Sequence, residues 1–143
     1  MTPLYQHLAA TLDLTDEIGA SLDESGLRAR NAAARSSTIG GQLWCVVGAR
    51  ESYARAIESN GWSGFYCSLN EPHSPEAVRA SLATSKQRVL ELLQGIDHVN
   101  GTREDFALTL LEHESQHHGQ LIRYFYANNL PFREAFASRY ALN

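Results

Sequence analysis

Two histidines four residues apart, His113 and His117, lie on a stripe of otherwise apolar residues. The stripe repeats at spacings of four, three, four, four and three residues, which is typical of one helix face; its members are Phe106, Leu110, His113, His117, Leu121 and Tyr124. Side chains four residues apart on a helix have Cβ atoms about 5–6 Å apart, so both rings can reach one ion. The pair therefore predicts a divalent metal site, with hydrogen bonds to neighbouring helices as the alternative role.

A third ligand must come from another part of the chain, because catalytic metal sites usually have three protein ligands and one open position. The candidates are side chains with sulfur or nitrogen donors, namely Cys45, Cys67, His7 and His73. We favour Cys45, since it lies within a helix on a stripe of small residues that a neighbouring element can approach. That stripe consists of Gly41, Cys45, Gly48, Ser52 and Ala56. The alternative role of Cys45 is that of a small buried apolar side chain.

The residues around these ligands include candidates for other roles. His118 points about 100° away from His117 on the helix, so we expect it at the surface or an interface rather than on the same ion. Gln120 lies one turn beyond His117, near the same face. We predict that Gln120, Tyr53 and Trp62 bind substrate, with surface or packing roles as the alternative. Further candidates on the same grounds are Arg50, Glu51, Phe65 and Tyr66.

Four amphipathic helices are predicted to position these residues, and no strand pattern is present. They extend over residues 2–22, from Ser36 or Ser37 to Asn60-Gly61, from Ser74 to a break between Gly95 and Gly101, and from Thr102 to Asn128-Asn129. Thr2-Pro3 and Ser74-Pro75 are typical of a capping residue followed by proline in the first turn. Residues 24–37 are predicted to be a connection whose alanines can form a short helical turn. The fold class is therefore all-α, a four-helix bundle.

The connection between helices two and three, residues 60–73, is long enough to cross a bundle from end to end. Fourteen extended residues span about 45 Å. Helices two and three can therefore run parallel, and an antiparallel order stays open on this pattern. The aromatic C-terminal segment after Pro131 is expected to pack over one end.

The composition predicts one soluble domain over residues 1–143. Hydrophobic residues make up 43% of the chain and charged residues 20%, as in an ordinary globular protein. The net charge is −4 and the basic residues are scattered, which disfavours nucleic-acid binding. No apolar run approaches the roughly 18 residues of a membrane span, and the first residues lack a signal-peptide pattern. We expect a cytoplasmic protein with reduced cysteines and no membrane partner.

Two segments resemble the DinB/YfiT-like superfamily of metalloenzymes. Residues 110–121, LLEHESQHHGQL, are similar to that family's final-helix motif of two histidines four apart, then a residue, Gly and Gln. Residues 38–53, TIGGQLWCVVGARESY, are similar to its second helix. The resemblance covers nearly the whole chain. It implies an up-down-down-up four-helix bundle, often a homodimer, with nickel, zinc or a similar ion held by three histidines.

The chain departs from this family at Cys45, where a histidine is usual. A thiolate can bind zinc and shifts preference toward softer metals. The resemblance implies a metal-dependent enzyme, such as a transferase that acts with a low-molecular-weight thiol on a small molecule. The ion would activate the thiol or water. The alternative is a non-catalytic dimeric bundle that has lost its metal and serves as a binding module.

Overall fold

A computed structural model describes residues 2–32, 37–95 and 101–142. All regular structure in these ranges is helical, which confirms the all-α prediction. The helices are α1 (Pro3–Ala20), α2 (Glu24–Arg28), α3 (Ile39–Ser59), α4 (Pro75–Gly95), α5 (Gly101–Ala127) and α6 (Glu134–Tyr140). None of them combines the length and apolar character that crossing a membrane requires.

Local capping residues set several helix ends. The Thr2 hydroxyl accepts a hydrogen bond from the Tyr5 N–H, with Pro3 in the first turn, and Ser74 similarly accepts from Ala77. These two starts confirm the sequence predictions. α3 ends at Ser59, followed by Asn60 with a left-handed φ of 56°, as expected for a helix stop.

The predicted cap of α3 at Ser37 is wrong, and the alternative, Ser36, lies outside the described residues. Thr38 caps the helix instead, and its hydroxyl accepts a hydrogen bond from the Gly41 N–H at 3.0 Å. The same hydroxyl lies 2.7 Å from Nε2 of His73, close to the start of α4. Thr38 is therefore fixed by a long-range contact as well as by the local pattern.

Three smaller features complete the chain. α2 forms within the predicted connection and is capped by Asp23, whose carboxylate accepts from the Gly26 N–H. The break predicted before α5 falls on residues 96–100, which lie outside the described residues. α6 forms in the C-terminal segment and packs against α1.

The four long helices share two apolar clusters. α3 packs against α4 and α5, and α1 packs against the same two helices. One cluster includes Ile18, Leu43, Leu82 and Leu121, and the other includes Leu12, Ile57, Val89 and Leu110. Each of these side chains is at most 1% exposed, and full burial of one such side chain stabilises the fold by roughly 1.5–3 kcal/mol. Buried polar residues, including Arg50, Glu114 and His118, come between the two clusters along the helices.

The segment between α3 and α4, residues 60–74, runs back along α3. The Tyr66 N–H donates to the Ser52 hydroxyl at 2.8 Å, and the Glu51 carboxylate accepts from the Ser68 N–H at 2.8 Å. The Phe65 ring lies on Gly48, where a Cβ atom would come within 2.2 Å of it. The small-residue stripe of α3 thus receives this extended segment over part of its length. We call residues 60–74 the crossover segment.

Candidate metal centre

Cys45, His113 and His117 form one cluster between α3 and α5. One potential ligand atom from each residue lies within 4.8 Å of the other two. The Cys45 Sγ is 3.6 Å from Nε2 of His113. The imidazole rings of His113 and His117 meet edge to face with centroids 4.6 Å apart, as expected for residues one turn apart on a helix. The structure therefore brings together the three residues that the sequence analysis selected.

The donor set fits a divalent ion of borderline softness. A tetrahedral zinc ion holds nitrogen and sulfur donors about 3.6 Å apart. Side-chain rotations that move the ligand atoms by roughly 1 Å would bring all three to this spacing. Nδ1 of His113 is buried and has no hydrogen-bond partner among the described residues. Buried polar groups are normally paired, so the unpaired Nδ1 is unusual, whereas Nε2 is the nitrogen of His113 that faces Cys45.

The protonation states of the three residues differ in their suitability for metal binding. Burial lowers the pKa of His113 and, together with the neighbouring His113 ring, lowers the pKa of His117 to about 4. Both rings are therefore neutral near pH 7, which is the form that binds metals. Burial raises the pKa of the Cys45 thiol, so the thiolate needs a nearby cation. A redox-sensing thiol needs a lowered pKa, so the raised pKa of Cys45 does not favour such a role.

The other predicted donors lie in other surroundings. His7 is exposed on α1. Nε2 of His73 pairs with the Thr38 hydroxyl, and the Cys67 thiol donates to the carbonyl of Trp44 at 3.3 Å. None of the three belongs to the cluster that Cys45 forms with the two histidines.

His118 is completely buried, so the expectation of a surface or interface position is wrong. Its Nε2 lies 2.6 Å from the Thr15 hydroxyl and its Nδ1 lies 2.6 Å from the Tyr140 hydroxyl. The ring also meets Phe136 of α6. Helix α6 covers this face of α5, and the periodicity of α5 alone contains no information about that cover.

Arg50 does not contact the candidate metal ligands but joins helices. Its fully buried guanidinium donates to Glu114 and Asp16, and to the backbone carbonyls of Leu12 and Leu82. Every partner comes from a different helix than Arg50 itself. Its charge is therefore paired within the protein, which makes it a packing residue rather than a ligand-orienting one. The one feature of the sequence that indicated the burial of Arg50 is its position at the end of the otherwise small and apolar run VVGAR.

The three predicted substrate-binding residues lie in different environments. Gln120 is exposed, and its side chain raises the pKa of His117, which opposes the larger lowering by burial. Tyr53 is half-buried, with its ring centroid 5.0 Å from that of Trp62 and 6.3 Å from that of Phe106. Trp62 is 49% exposed. Gln120 is therefore beside a candidate ligand, whereas Tyr53 and Trp62 form an aromatic group with Phe106, two turns before His113 on α5.

Gln42 was not selected as a site residue from the sequence. Its Oε1 lies 3.4 Å from Nδ1 of His117, and the residue is 5% exposed. Its position three residues before Cys45 could have indicated a place at the site, because residues at this spacing lie on one side of a helix.

Comparisons with protein-family models, with curated proteins and with solved structures return no match. The geometry of Cys45, His113 and His117 is therefore the main observation that bears on function.

Proposed function

We propose that the chain is a metal-dependent enzyme that holds one divalent ion, zinc or nickel, with Cys45, His113 and His117. The observation that carries the proposal is the convergence of one sulfur and two imidazole donors from two helices within 4.8 Å. Three protein ligands leave one tetrahedral position open, as catalytic sites require.

The proposed reaction is transfer chemistry with a low-molecular-weight thiol and a small-molecule substrate. A divalent ion with an open position supplies a Lewis acid, which favours the deprotonated form of a thiol or of water. The chain's own residues supply neutral imidazoles and a site that is only partly closed, because Cys45 and His113 are both half-buried. Gln120, Tyr53 and Trp62 are proposed to contact the substrate, Gln120 being the one beside His117.

We further propose an up-down-down-up four-helix bundle made of α1, α3, α4 and α5. Contacts between residues at the same level along the bundle axis support this order. Arg50–Leu82 and Arg88–Glu58 are consistent with parallel α3 and α4, whereas Lys86–Asp13 and Arg103–Ile57 are consistent with antiparallel packing of α4 on α1 and of α5 on α3. The crossover segment that joins α3 to α4 is consistent with the same order. Membership of the DinB/YfiT-like superfamily, a homodimeric state and a cytoplasmic location belong to this proposal.

The deciding experiment is elemental analysis of protein purified without a metal-affinity tag. We expect about one zinc or nickel ion per chain in the native protein and loss of the ion in both His113→Ala and Cys45→Ala. The matched control is His7→Ala, which removes an exposed imidazole and should retain the ion. Stoichiometric metal in His113→Ala would contradict the proposed site.

The alternative is a non-catalytic binding module that has lost its metal. It is favoured by the 3.6 Å contact between Cys45 Sγ and His113 Nε2, which can join the two side chains as a direct hydrogen bond. In that case native protein incubated with zinc or nickel binds neither ion, and Cys45→His creates an affinity that the native chain lacks. If the native protein does bind the ion, thiol-transfer assays of the metal-loaded protein distinguish an enzyme from a metal-binding bundle.

A further inference from the structure

Gln42 approaches His117 from the opposite helix. It lies on α3 one turn before Cys45, while His117 lies on α5, so the contact joins the two helices that provide the proposed ligands. The Gln42 Oε1 and the His117 Nδ1 are 3.4 Å apart and both residues are buried. A contact in this position can select which ring nitrogen carries the proton.

We propose that Gln42 is a positioning residue that keeps the His117 proton on Nδ1 and thereby presents Nε2 to the metal ion. The inference rests on the proposed function. A carbonyl oxygen only accepts hydrogen bonds, so Nδ1 must donate when it bonds Oε1 of Gln42. A neutral imidazole has a single N–H, so Nε2 is left with a lone pair for the ion.

The surroundings of His117 indicate why Gln42 has this role rather than Gln120. Gln120 lies beside His117, three residues later on α5, but it is exposed, and water competes for its amide. Gln42 is 5% exposed, and its position is set by the packing of α3 on α5. Partners of this kind, which bond the second ring nitrogen of a ligand histidine, typically change metal affinity 10–100-fold.

The first test needs no metal. Long-range ¹H–¹⁵N correlation spectra of the metal-free protein at about pH 7.5 distinguish a ring protonated on Nδ1 from one protonated on Nε2. We expect Nδ1–H for native His117, the same tautomer in Gln42→Glu, which keeps an acceptor oxygen, and a shift toward Nε2–H in Gln42→Leu. A native His117 protonated on Nε2 would overturn the inference, and so would an unchanged tautomer in Gln42→Leu. If Gln42→Leu does not fold, the native and Gln42→Glu spectra test the inference. Nδ1–H in both supports it, and Nε2–H in the native protein overturns it.

The second test measures zinc affinity by competition with a chromophoric chelator. We expect Gln42→Leu to bind zinc 10–100-fold more weakly than the native chain, and Gln42→Glu to bind at least as tightly. The control is Gln116→Leu, at an exposed position on α5, which should leave the affinity unchanged. Equal affinity of native protein and Gln42→Leu overturns the role of Gln42 and leaves the metal site standing. A native chain that binds no zinc or nickel removes the proposed function instead, and the metal-free spectra still report whether Gln42 sets the tautomer.

Discussion

Arg50 is a completely buried cation whose hydrogen-bonding groups face two carboxylates and two backbone carbonyls. Replacing it with methionine keeps much of the side-chain volume but leaves the fully buried Glu114 carboxylate without its partner. We expect Arg50→Met to lower the free energy of unfolding by about 3–5 kcal/mol, because an uncompensated buried charge remains. Denaturant unfolding followed by circular dichroism measures the change.

Two companion variants separate loss of charge pairing from loss of packing. Arg50→Met combined with Glu114→Gln should recover part of the loss, since the second change removes the unpaired charge. Arg88→Met breaks the exposed pair with Glu58, where both side chains are about half exposed, and should lower the free energy of unfolding by less than about 1 kcal/mol. An Arg50→Met loss as small as that of Arg88→Met would contradict the buried-pair account.

His118 should make the metal-free protein sensitive to acid. Burial lowers its pKa to about 4, with the charges of Arg139 and Arg50 adding to the effect and Glu114 opposing it. A lowered pKa in the folded state means that the neutral ring stabilises the fold fully above pH 6.5, and that this stabilisation is lost as the pH falls through about 4. His118→Leu removes the ring partner of the Tyr140 hydroxyl and one of the two partners of the Thr15 hydroxyl, so it should be less stable than the native chain at pH 7.

The difference between native protein and His118→Leu should therefore shrink as the pH falls from about 6.5 to about 4. Unfolding in the presence of a metal chelator, measured at several pH values, gives this difference directly. A constant difference across that range would show that protonation of His118 is not linked to unfolding.

At the level of secondary-structure elements, the crossover segment depends on a glycine in α3. A Cβ atom at Gly40 would lie 2.1 Å from the backbone oxygen of Pro72, so the crossover segment would have to move. We expect Gly40→Ala to lower the free energy of unfolding by about 1–3 kcal/mol. The matched control is Gly119→Ala in α5, where nothing beyond the adjacent residues and the backbone of the same helix lies within 4 Å of the added Cβ. The gain in helix propensity should raise stability by up to about 1 kcal/mol. Thermal unfolding of both variants should give shifts of opposite sign.

The long helices were predictable because their signals are local. Ser74-Pro75 identified the start of α4, and Asn60-Gly61 marked the end of α3. The spacing of the apolar residues in α5 also predicted that His113 and His117 share one face of that helix. The burial of His118 was not predictable, because the covering residue Tyr140 lies 22 positions later in the chain. The partners of Arg50 were hidden for the same reason, since Asp16 and Glu114 are 34 and 64 positions away.

At the scale of the whole molecule, the proposed ion links helices α3 and α5 and should stabilise the fold by mass action. Metal at 100 times its dissociation constant raises the free energy of unfolding by about 2.7 kcal/mol, which for a chain of this length corresponds to a Tm increase of order 10 °C. We expect this increase with zinc or nickel in the native protein and none in His113→Ala. Calorimetry with and without a chelator measures it, and an equal increase in both proteins would place the binding elsewhere.

The crossover segment also has a consequence for proteolysis. It carries the exposed aromatic side chains of Trp62, Phe65 and Tyr66, which are preferred cleavage positions for chymotrypsin-like proteases. Its backbone, however, is held against α3 by the Ser52 hydroxyl at Tyr66 and by the Glu51 carboxylate at Ser68. A protease needs the chain extended and free in its own cleft, so cutting here has to wait for local detachment of the segment. When reclosing is faster than cleavage, the nicking rate reports the fraction of molecules in which this segment has opened.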